Sequence, residues 1–324
     1  MARELMGYKF KGSGHEVPEE KRKFDQNGGL ARVFLAYLDS FGKTKLEPSV
    51  LIKDLEASVE EMHSILPAFQ DHKRFCEATG LFISAVYNKV PDTQIVFDVK
   101  LDVRLSEIGI KLAKNKTLIN RATVNDIGAH SEGTIINEGD VEYVGFGNAG
   151  NIINLGTAGH LGIYASGKVI NYGKADRIGA EPQPKDNLIT TAQLINYGSA
   201  RKIGEGAGSL VINLGIAGHR MSCMASPDST IINYGKAGRD FGSRSEGIVL
   251  AYEKPESFGM KSRAKLAWNQ EDCEAAPKLW KYLKALKEKL ETGRTDYKKA
   301  LAVLEEMNIQ KDIAKIIRKE GYEI

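Results

Sequence analysis

Residues 134–167 read TIINEGDVEYVGFGNAG and then NIINLGTAGHLGIYASG, two consecutive units of 17 residues with the same pattern. These two units open with a polar residue, two aliphatic residues and an asparagine, and glycines recur at fixed positions after it. Seven such units begin between residues 117 and 230, and removing two short insertions restores the strict spacing. The repeated asparagines are Asn120, Asn137, Asn154, Asn171, Asn196, Asn213 and Asn233.

A unit of this length, with short aliphatic segments and glycine corners, is too short for a pair of helices. Units that each bury an apolar face against the next predict a β-solenoid with one coil per unit. An asparagine at a corner tolerates left-handed backbone, and its side chain can bond corner amides and the asparagine of the next coil. We therefore predict an α+β chain with a central β-solenoid of about seven coils, in which the asparagines form a structural ladder.

The regions on either side of the repeat have helical spacing of apolar residues. One apolar stripe begins at Leu51 and ends at Leu66, and Pro277 opens a second helical region. Between the first stripe and the repeat, residues 93–105 alternate apolar and charged side chains, which predicts a strand that leads into the first coil. The expected division is a helical N-terminal region or cap (1–94), the β-solenoid (95–259) and a helical C-terminal region or cap (260–324).

The segment GFGNAG at residues 145–150 fits the glycine pattern of dinucleotide-binding loops. That pattern requires a helix immediately after it, whereas the residues that follow, NIINLG, predict a strand and a turn. Glycines recur at the same positions of the other units, so coil corners explain the pattern. The chain also lacks a Walker loop, a zinc-protease motif and a serine nucleophile elbow, and we expect no catalytic residue, no metal and no cofactor.

The composition of the chain indicates the cellular compartment in which we expect it. The formal net charge is +3, no apolar run is long enough to span a membrane, and the first residues contain no apolar signal segment. The three cysteines, Cys76, Cys223 and Cys273, are widely separated and odd in number. This usage favours free thiols in a reducing compartment over a disulfide framework. We expect a cytoplasmic protein without membrane contact.

Consecutive aliphatic residues in each unit predict an apolar column on the outside of the coil, because successive side chains of a strand point to opposite faces. The residue after the asparagine is also apolar or aromatic in five units. Such a stripe requires cover, either from the helical ends of the chain or from a second protomer or another protein partner. The candidate interface residues are Leu155, Tyr172, Tyr197, Leu214 and Tyr234.

The tenth position of the unit is basic from the third unit onward. Cations repeated at the strand spacing repel one another unless an anion lies along them, so a nucleic acid or an acidic glycan is a possible partner. The alternative is a solvated turn position whose charges pair with nearby acids such as Asp176. The candidate polyanion-binding residues are His160, Arg177, Lys202, His219 and Arg239.

Three functions follow from these patterns. The leading hypothesis is a non-enzymatic scaffold or assembly protein that self-associates, and the second is polyanion binding. The third is a carbohydrate-acting or acyl-transferring enzyme, for which Asp126 and Glu142 in adjacent coils are the best carboxylate pair. Two insertions, at 181–192 and 222–229, could form a rim beside the basic column.

Overall fold

The structure of the chain is a computed structural model that describes residues 29–43, 47–179, 192–204, 210–221, 225–257 and 264–324. It confirms the α+β prediction, because its centre is a β-solenoid of about seven turns with 17-residue spacing and helices lie at both ends. The first insertion lies outside the described residues except for Ala192, and the second is described only from Ala225. Cys223 also lies outside them.

Sheet A is a ten-stranded parallel sheet that contains the Ile-Asn segment of every unit. Neighbouring strands pair in strict register, so that Asn137 lies opposite Asn154. From the N-terminal end of the stack, its strands are β1 (Gln94–Phe97), β2 (Thr117–Asn120), β4 (Thr134–Asn137), β6 (Asn151–Asn154), β8 (Lys168–Asn171), β10 (Gln193–Asn196), β12 (Leu210–Asn213), β14 (Thr230–Asn233), β16 (Ile248–Ala251) and β17 (Leu266–Trp268).

Sheet B is a seven-stranded parallel sheet on the other side of the coil. Each of its strands begins three residues after an asparagine of sheet A. Its strands are β3 (Thr123–Ile127), β5 (Asp140–Val144), β7 (Thr157–Leu161), β9 (Lys174–Ile178), β11 (Ser199–Ile203), β13 (Ile216–Met221) and β15 (Lys236–Ala237).

The structure shows which apolar column of sheet A faces the interior. In the strands of sheet A from β1 to β16, the second residue, such as Ile152 or Val169, lies in a core that also contains the inward residues of sheet B. From β8 onward the third residue, such as Ile170 or Ile195, points outward into a second apolar cluster. The asparagine at the fourth position points inward again, as alternation along a strand requires.

The asparagine column forms a continuous chain of side-chain hydrogen bonds. All seven asparagines are buried, and the Nδ2 of each of the first six donates to the Oδ1 of the next across 2.7 to 3.0 Å. Each amide also bonds a carbonyl two residues on in its own coil, as Asn154 does with Gly156. The ladder ends at Asn233, because Ala251 occupies the next register position.

The backbone geometry of residues 145–150 explains why glycines occupy this segment. Gly145 has a φ of 70°, a left-handed conformation that side chains with a Cβ rarely adopt. A Cβ on Gly150 would lie 2.1 Å from the carbonyl oxygen of Gly133 in the preceding coil. Strand β6 follows directly instead of a helix. The pattern therefore reflects corner geometry and coil contact.

Among the described residues, four helices precede the solenoid: α1 (Gly29–Ser40), α2 (Pro48–Leu51), α3 (Val59–Phe69) and α4 (Phe75–Lys89). Their apolar residues are continuous with the core of the coils. The hydroxyl of Ser84 in α4 donates to the carbonyl of Glu107 and accepts from the amide of Ile110, across 2.9 and 3.1 Å. These contacts attach α4 to the N-terminal end of the stack.

The strand expected over residues 93–105 is correct only at its start, where β1 forms. Further along, the Leu105 carbonyl accepts a hydrogen bond from the amide of Asn125 across 2.7 Å. Ile108 then forms a parallel bridge with Ile127. The chain bends because it follows the cross-section of the coil, and it adds an incomplete coil that extends sheet B by one register position.

In the described part of the chain after the solenoid, residues 264–324, the helices are α5 (Gln270–Ala275), α6 (Pro277–Glu291), α7 (Tyr297–Glu306) and α8 (Ile309–Lys319). Helix α6 begins at Pro277, as the sequence predicts. Their buried leucines and isoleucines pack against the outward residues of sheet A in the second apolar cluster. The C-terminal helices therefore form a layer on the outer face of sheet A.

Candidate interaction surface

Tyrosine hydroxyls attach helix α6 to sheet A in register with the coils. The hydroxyl of Tyr234 donates to the Leu283 carbonyl across 3.0 Å, and the hydroxyl of Tyr197 donates to the Leu290 carbonyl across 2.6 Å. The two tyrosines lie two coils apart, about 9.6 Å at the strand spacing, and seven helical residues rise about 10.5 Å. The helix therefore runs along the stack with nearly the same repeat.

The candidate interface column packs mainly against the chain itself. Tyr197, Leu214 and Tyr234 are buried in the cluster formed with the C-terminal helices. Tyr172 packs against the same cluster, and its hydroxyl donates to the carbonyl of Gly293 across 2.5 Å. Only Leu155 of this column is exposed, to 42%. The sequence left open whether the chain's own helices or a partner cover this column. At these four positions the chain's own helices cover it.

The outer face of sheet B has no covering element among the residues that the structure describes. Two outward residues separate the inward pair of each strand from β3 to β11, as between Val124 and Ile127 in β3, and three separate it in β13. No outward side chain of the sheet belongs to either of the two apolar clusters of the described residues. Among its outward side chains, Glu142, Tyr143 and Arg201 are exposed, whereas Asp126, His160 and Arg177 are half-buried.

One outward column of sheet B changes its charge steadily along the stack. We call it the graded column. It is acidic at the N-terminal end, aromatic in the middle and basic at the C-terminal end. In order of coils it consists of Glu107, Asp126, Tyr143, His160, Arg177, Lys202 and Arg220.

Two of the five predicted anion-binding residues lie outside the graded column. Strand β13 is one residue longer than β11, and the pairing shifts after Ala200, so that Lys202 lies opposite Arg220 rather than His219. Arg239 follows the end of β15. The sequence did not reveal the shift in pairing. It shows that three extra residues lie between the last two repeated asparagines, but it does not show whether they belong to a strand or to a loop. Anion binding by all five residues stays a prediction.

The acidic end contains carboxylates that interact with one another. Burial and the charge of Asp126 raise the pKa of Glu107. Burial and the charge of Glu142 likewise raise the pKa of Asp126, against a hydrogen bond from Ser106 that lowers it. Asp126 and Glu142 are thus neighbours, as the sequence suggested. Raised carboxyl pKa values suit general acids, but they follow equally from like charges held together without a cationic partner.

The middle of the graded column is aromatic. The rings of Tyr143 and His160 stack with centroids 4.7 Å apart and planes 7° from parallel. Tyr143 is 38% exposed, and Phe146 at the following corner is exposed to the same degree. A flat aromatic pair on an open sheet supplies contact area at low entropic cost, which is typical of recognition surfaces.

The basic end is partly neutralised within the chain. Arg201 donates two hydrogen bonds to Asp176, across 2.5 and 2.7 Å, and Arg177 approaches the same carboxylate at 3.7 Å. The hydrogen bond from Arg201 and the nearby positive charges hold the pKa of Asp176 below its usual value. Asp176 therefore offsets one of the cations that a polyanion would contact, as the alternative interpretation of the sequence expects.

A second feature is an open groove of about 760 Å³ along the corner between the sheets. Its floor is a glycine column, since a Cβ on Gly173 would lie 2.0 Å from the carbonyl oxygen of Gly156. Leu155, Ile216 and Arg294 are among its lining residues. The described lining contains no carboxylate and no histidine, and its cations are Lys174, Lys236 and Arg294.

Together these features define a capped β-solenoid protein whose second sheet presents a charge-graded face. No group of three or more histidine, cysteine, aspartate or glutamate side chains suited to a metal ion occurs among the described residues. Within the same part of the chain, no helix combines the length and the apolar character needed to cross a membrane. No family model matches the chain, and no curated protein or solved structure matches it either.

Proposed function

We propose that the protein is a non-enzymatic scaffold that self-associates through its solenoid. The observation that carries this proposal is the outer face of sheet B, seven strands on which no described helix packs, whereas the C-terminal helices cover sheet A from β8 onward. A rigid sheet with exposed aromatic and charged side chains, and without an acid–base pair in a cleft, is suited to binding another macromolecular surface.

The cysteines support a cytoplasmic location as part of this proposal. Cys76 is an exposed free thiol and Cys273 is a buried one. Burial raises the pKa of Cys273 to about 12, so this thiol is inert at neutral pH. Free thiols of this kind are typical of proteins kept in a reducing compartment.

Polyanion binding is the second candidate, because Arg177, Lys202 and Arg220 lie in direct register on adjacent strands. Their spacing of about 4.8 Å is comparable to the charge spacing of a linear polyanion. The acids at the other end of the same column and the neutralised Asp176 limit this candidate to the C-terminal coils.

Size-exclusion chromatography with light scattering, monitored at 260 and 280 nm, separates these functions. The scaffold proposal predicts a pure protein spectrum and a mass that rises above 35.6 kDa with concentration. A monomer at every concentration would refute self-association. A peak rich in 260 nm absorbance that loses nucleic acid at high salt would favour the second candidate instead.

A further inference from the structure

The open groove along the corner between the sheets, which we call the corner groove, follows from the way the coils stack. From Asn137 onward, the second residue after each repeated asparagine is glycine. A Cβ on Gly215 would lie 2.0 Å from the carbonyl oxygen of Gly198 in the preceding coil. Because this position has no room for a side chain, the coils cannot fill the groove from its floor, and the glycines that line it stay partly exposed.

Two ridges border this floor. On the first ridge, the hydroxyl of Tyr172 donates to the Gly293 carbonyl across 2.5 Å, and the guanidinium of Arg294 donates to the Leu214 carbonyl across 3.3 Å. These bonds hold the ridge in place before any ligand arrives, which lowers the entropic cost of binding. The second ridge consists of the first residues of five strands of sheet B, namely Thr157, Lys174, Ser199, Ile216 and Lys236.

The charges of the lining favour an anionic ligand. Of its three cations, Arg294 already donates two hydrogen bonds to Glu291, across 2.6 and 2.9 Å. Lys174 and Lys236 are exposed, and neither takes part in an ion pair with a described residue. Since the described lining contains no carboxylate, these two ammonium groups are the charges that a ligand would meet.

The carboxylates that border the corner groove bond groups of the chain itself. The ion pairs are Arg121 with Glu138 (2.7 Å), Arg104 with Asp140 (3.3 Å), Arg201 with Asp176 (2.5 Å) and Lys287 with Glu253 (3.4 Å). Asp296, whose charge reaches Tyr172, accepts a hydrogen bond from the Lys298 amide at the start of α7. By register, Glu138 and Glu253 lie one coil beyond the two ends of the groove, so they confine an acidic ligand to the coils between them.

We propose that the corner groove binds an extended acidic peptide of a partner protein, with two acidic residues four positions apart and an apolar residue midway between them. The groove spans four strand spacings, about 19 Å, which is the length of about six extended residues. Lys174 and Lys236 lie three spacings apart, about 14 Å, close to the rise of about 13.5 Å over four extended residues. This binding does not depend on self-association through sheet B.

The exposed apolar residues of the groove favour a peptide over a polyanion. Leu155 and Ile216 are 42% and 52% exposed, and both line the groove together with the two lysines. Residues i, i+2 and i+4 of an extended peptide point to the same side, so an apolar residue between the two acids covers Ile216. A polyanion would instead place a charge against these apolar side chains, and two lysines would leave most of its phosphates without a cation.

Fluorescence anisotropy of labelled peptides, titrated with the full chain, tests this site. The probe is a fluorescein-labelled peptide of sequence GEALAEG, and GAEELAG, with the same composition and adjacent acids, is the control. We expect a dissociation constant of about 0.1 mM, because exposed ion pairs contribute little individually. Raised salt should weaken binding, and the control peptide should bind about threefold more weakly because it reaches only one lysine.

Charge variants locate the site on the chain. Lys174→Glu and Lys236→Glu should each weaken binding of GEALAEG at least about tenfold, because an attractive pair becomes a repulsive one. The double variant Lys174→Glu/Lys236→Glu should instead bind GKALAKG, in which lysines replace the two glutamates. Lys315→Glu, on the exposed side of α8, is the matched control and should leave the binding of every peptide unchanged.

Each outcome supports or overturns the proposal. Binding of GEALAEG that neither lysine variant weakens, or equal binding of GAEELAG, would refute it. A wild type that oligomerises without binding GEALAEG would refute this proposal and leave self-association standing, whereas a monomer that binds the peptide would do the reverse. If a labelled single-stranded oligonucleotide binds and Lys174→Glu abolishes that binding, while GEALAEG does not bind, the groove is a polyanion site and the peptide proposal is wrong.

Discussion

The asparagine ladder makes a strong prediction about the stability of the solenoid, and Asn154→Ala is the substitution that tests it. Asn154 is buried, and its Nδ2 donates to Asn171 Oδ1 across 2.7 Å and to the carbonyls of Gly156 and Lys174 across 3.2 Å each. Its Oδ1 accepts from Asn137 Nδ2 across 2.8 Å. Alanine removes all four hydrogen bonds at once.

The magnitude follows from those four bonds. Each contributes about 1 kcal/mol net, and a buried acceptor that loses its donor costs about 1–3 kcal/mol, so these two effects overlap rather than add. The buried Oδ1 of Asn171 is such an acceptor. We therefore expect Asn154→Ala to lower the free energy of unfolding by about 3–5 kcal/mol.

The assay is urea denaturation followed by circular dichroism, with Asn151→Ala as the matched control. Asn151 lies in the same strand, is partly exposed, and makes a 3.5 Å hydrogen bond to Thr134. Its replacement should cost less than about 0.5 kcal/mol. If the two variants unfold within about 1 kcal/mol of each other, the ladder does not stabilise the stack as argued here.

Three further substitutions test other contacts. Tyr197→Phe removes the hydrogen bond to the Leu290 carbonyl and should cost about 1–2 kcal/mol, with faster amide exchange along α6; unchanged exchange there would contradict the docking role. Gly173→Ala places a Cβ 2.0 Å from the Gly156 carbonyl oxygen and should abolish cooperative unfolding of the solenoid, whereas a native-like melting curve would contradict the close contact. Burial lowers the pKa of His63 from 6.5 to about 4, so stability present above pH 6.5 should fall by about 3 kcal/mol as the pH drops to 4. An NMR titration of His63 with a midpoint near 6.5 would refute this.

A prediction at the acidic end concerns the single chain. Because the raised pKa of Asp126 marks a carboxylate that is less stable ionised in the folded protein, its ionisation lowers stability as the pH rises through that pKa. Asp126→Asn should therefore raise the free energy of unfolding at pH 7 by up to about 1 kcal/mol, the scale of a partly exposed charge interaction. The gain should vanish at acidic pH, where the aspartate is protonated. A loss of stability at pH 7, measured by thermal unfolding at low concentration, would contradict this account.

Much of the fold was predictable because the same pattern of apolar residues, asparagine and glycine recurs in every coil. The position of Asn154 in its unit predicted both a corner and a side-chain ladder, and Pro277 predicted the start of α6. The face of the strand that turns inward was not predictable, because Val169 and Ile170 are both apolar and it is the packing of the C-terminal helices on Ile170 that distinguishes them. That distinction depends on tertiary packing.

The charge-graded face was only partly visible in the sequence. Glu107 was missed because its incomplete coil lacks the Ile-Asn signature. The spacing of Leu105 and Ile108, which matches that of Val124 and Ile127, is the signal that could have shown it. His219 was assigned in place of Arg220 because an extra residue inside a strand looks the same in sequence as an extra residue in a loop.

The most direct test of the central claim is sedimentation equilibrium of the full chain over a wide range of concentrations. Self-association predicts an average mass that rises above 35.6 kDa as the concentration increases. A mass of 35.6 kDa at every concentration would contradict the account.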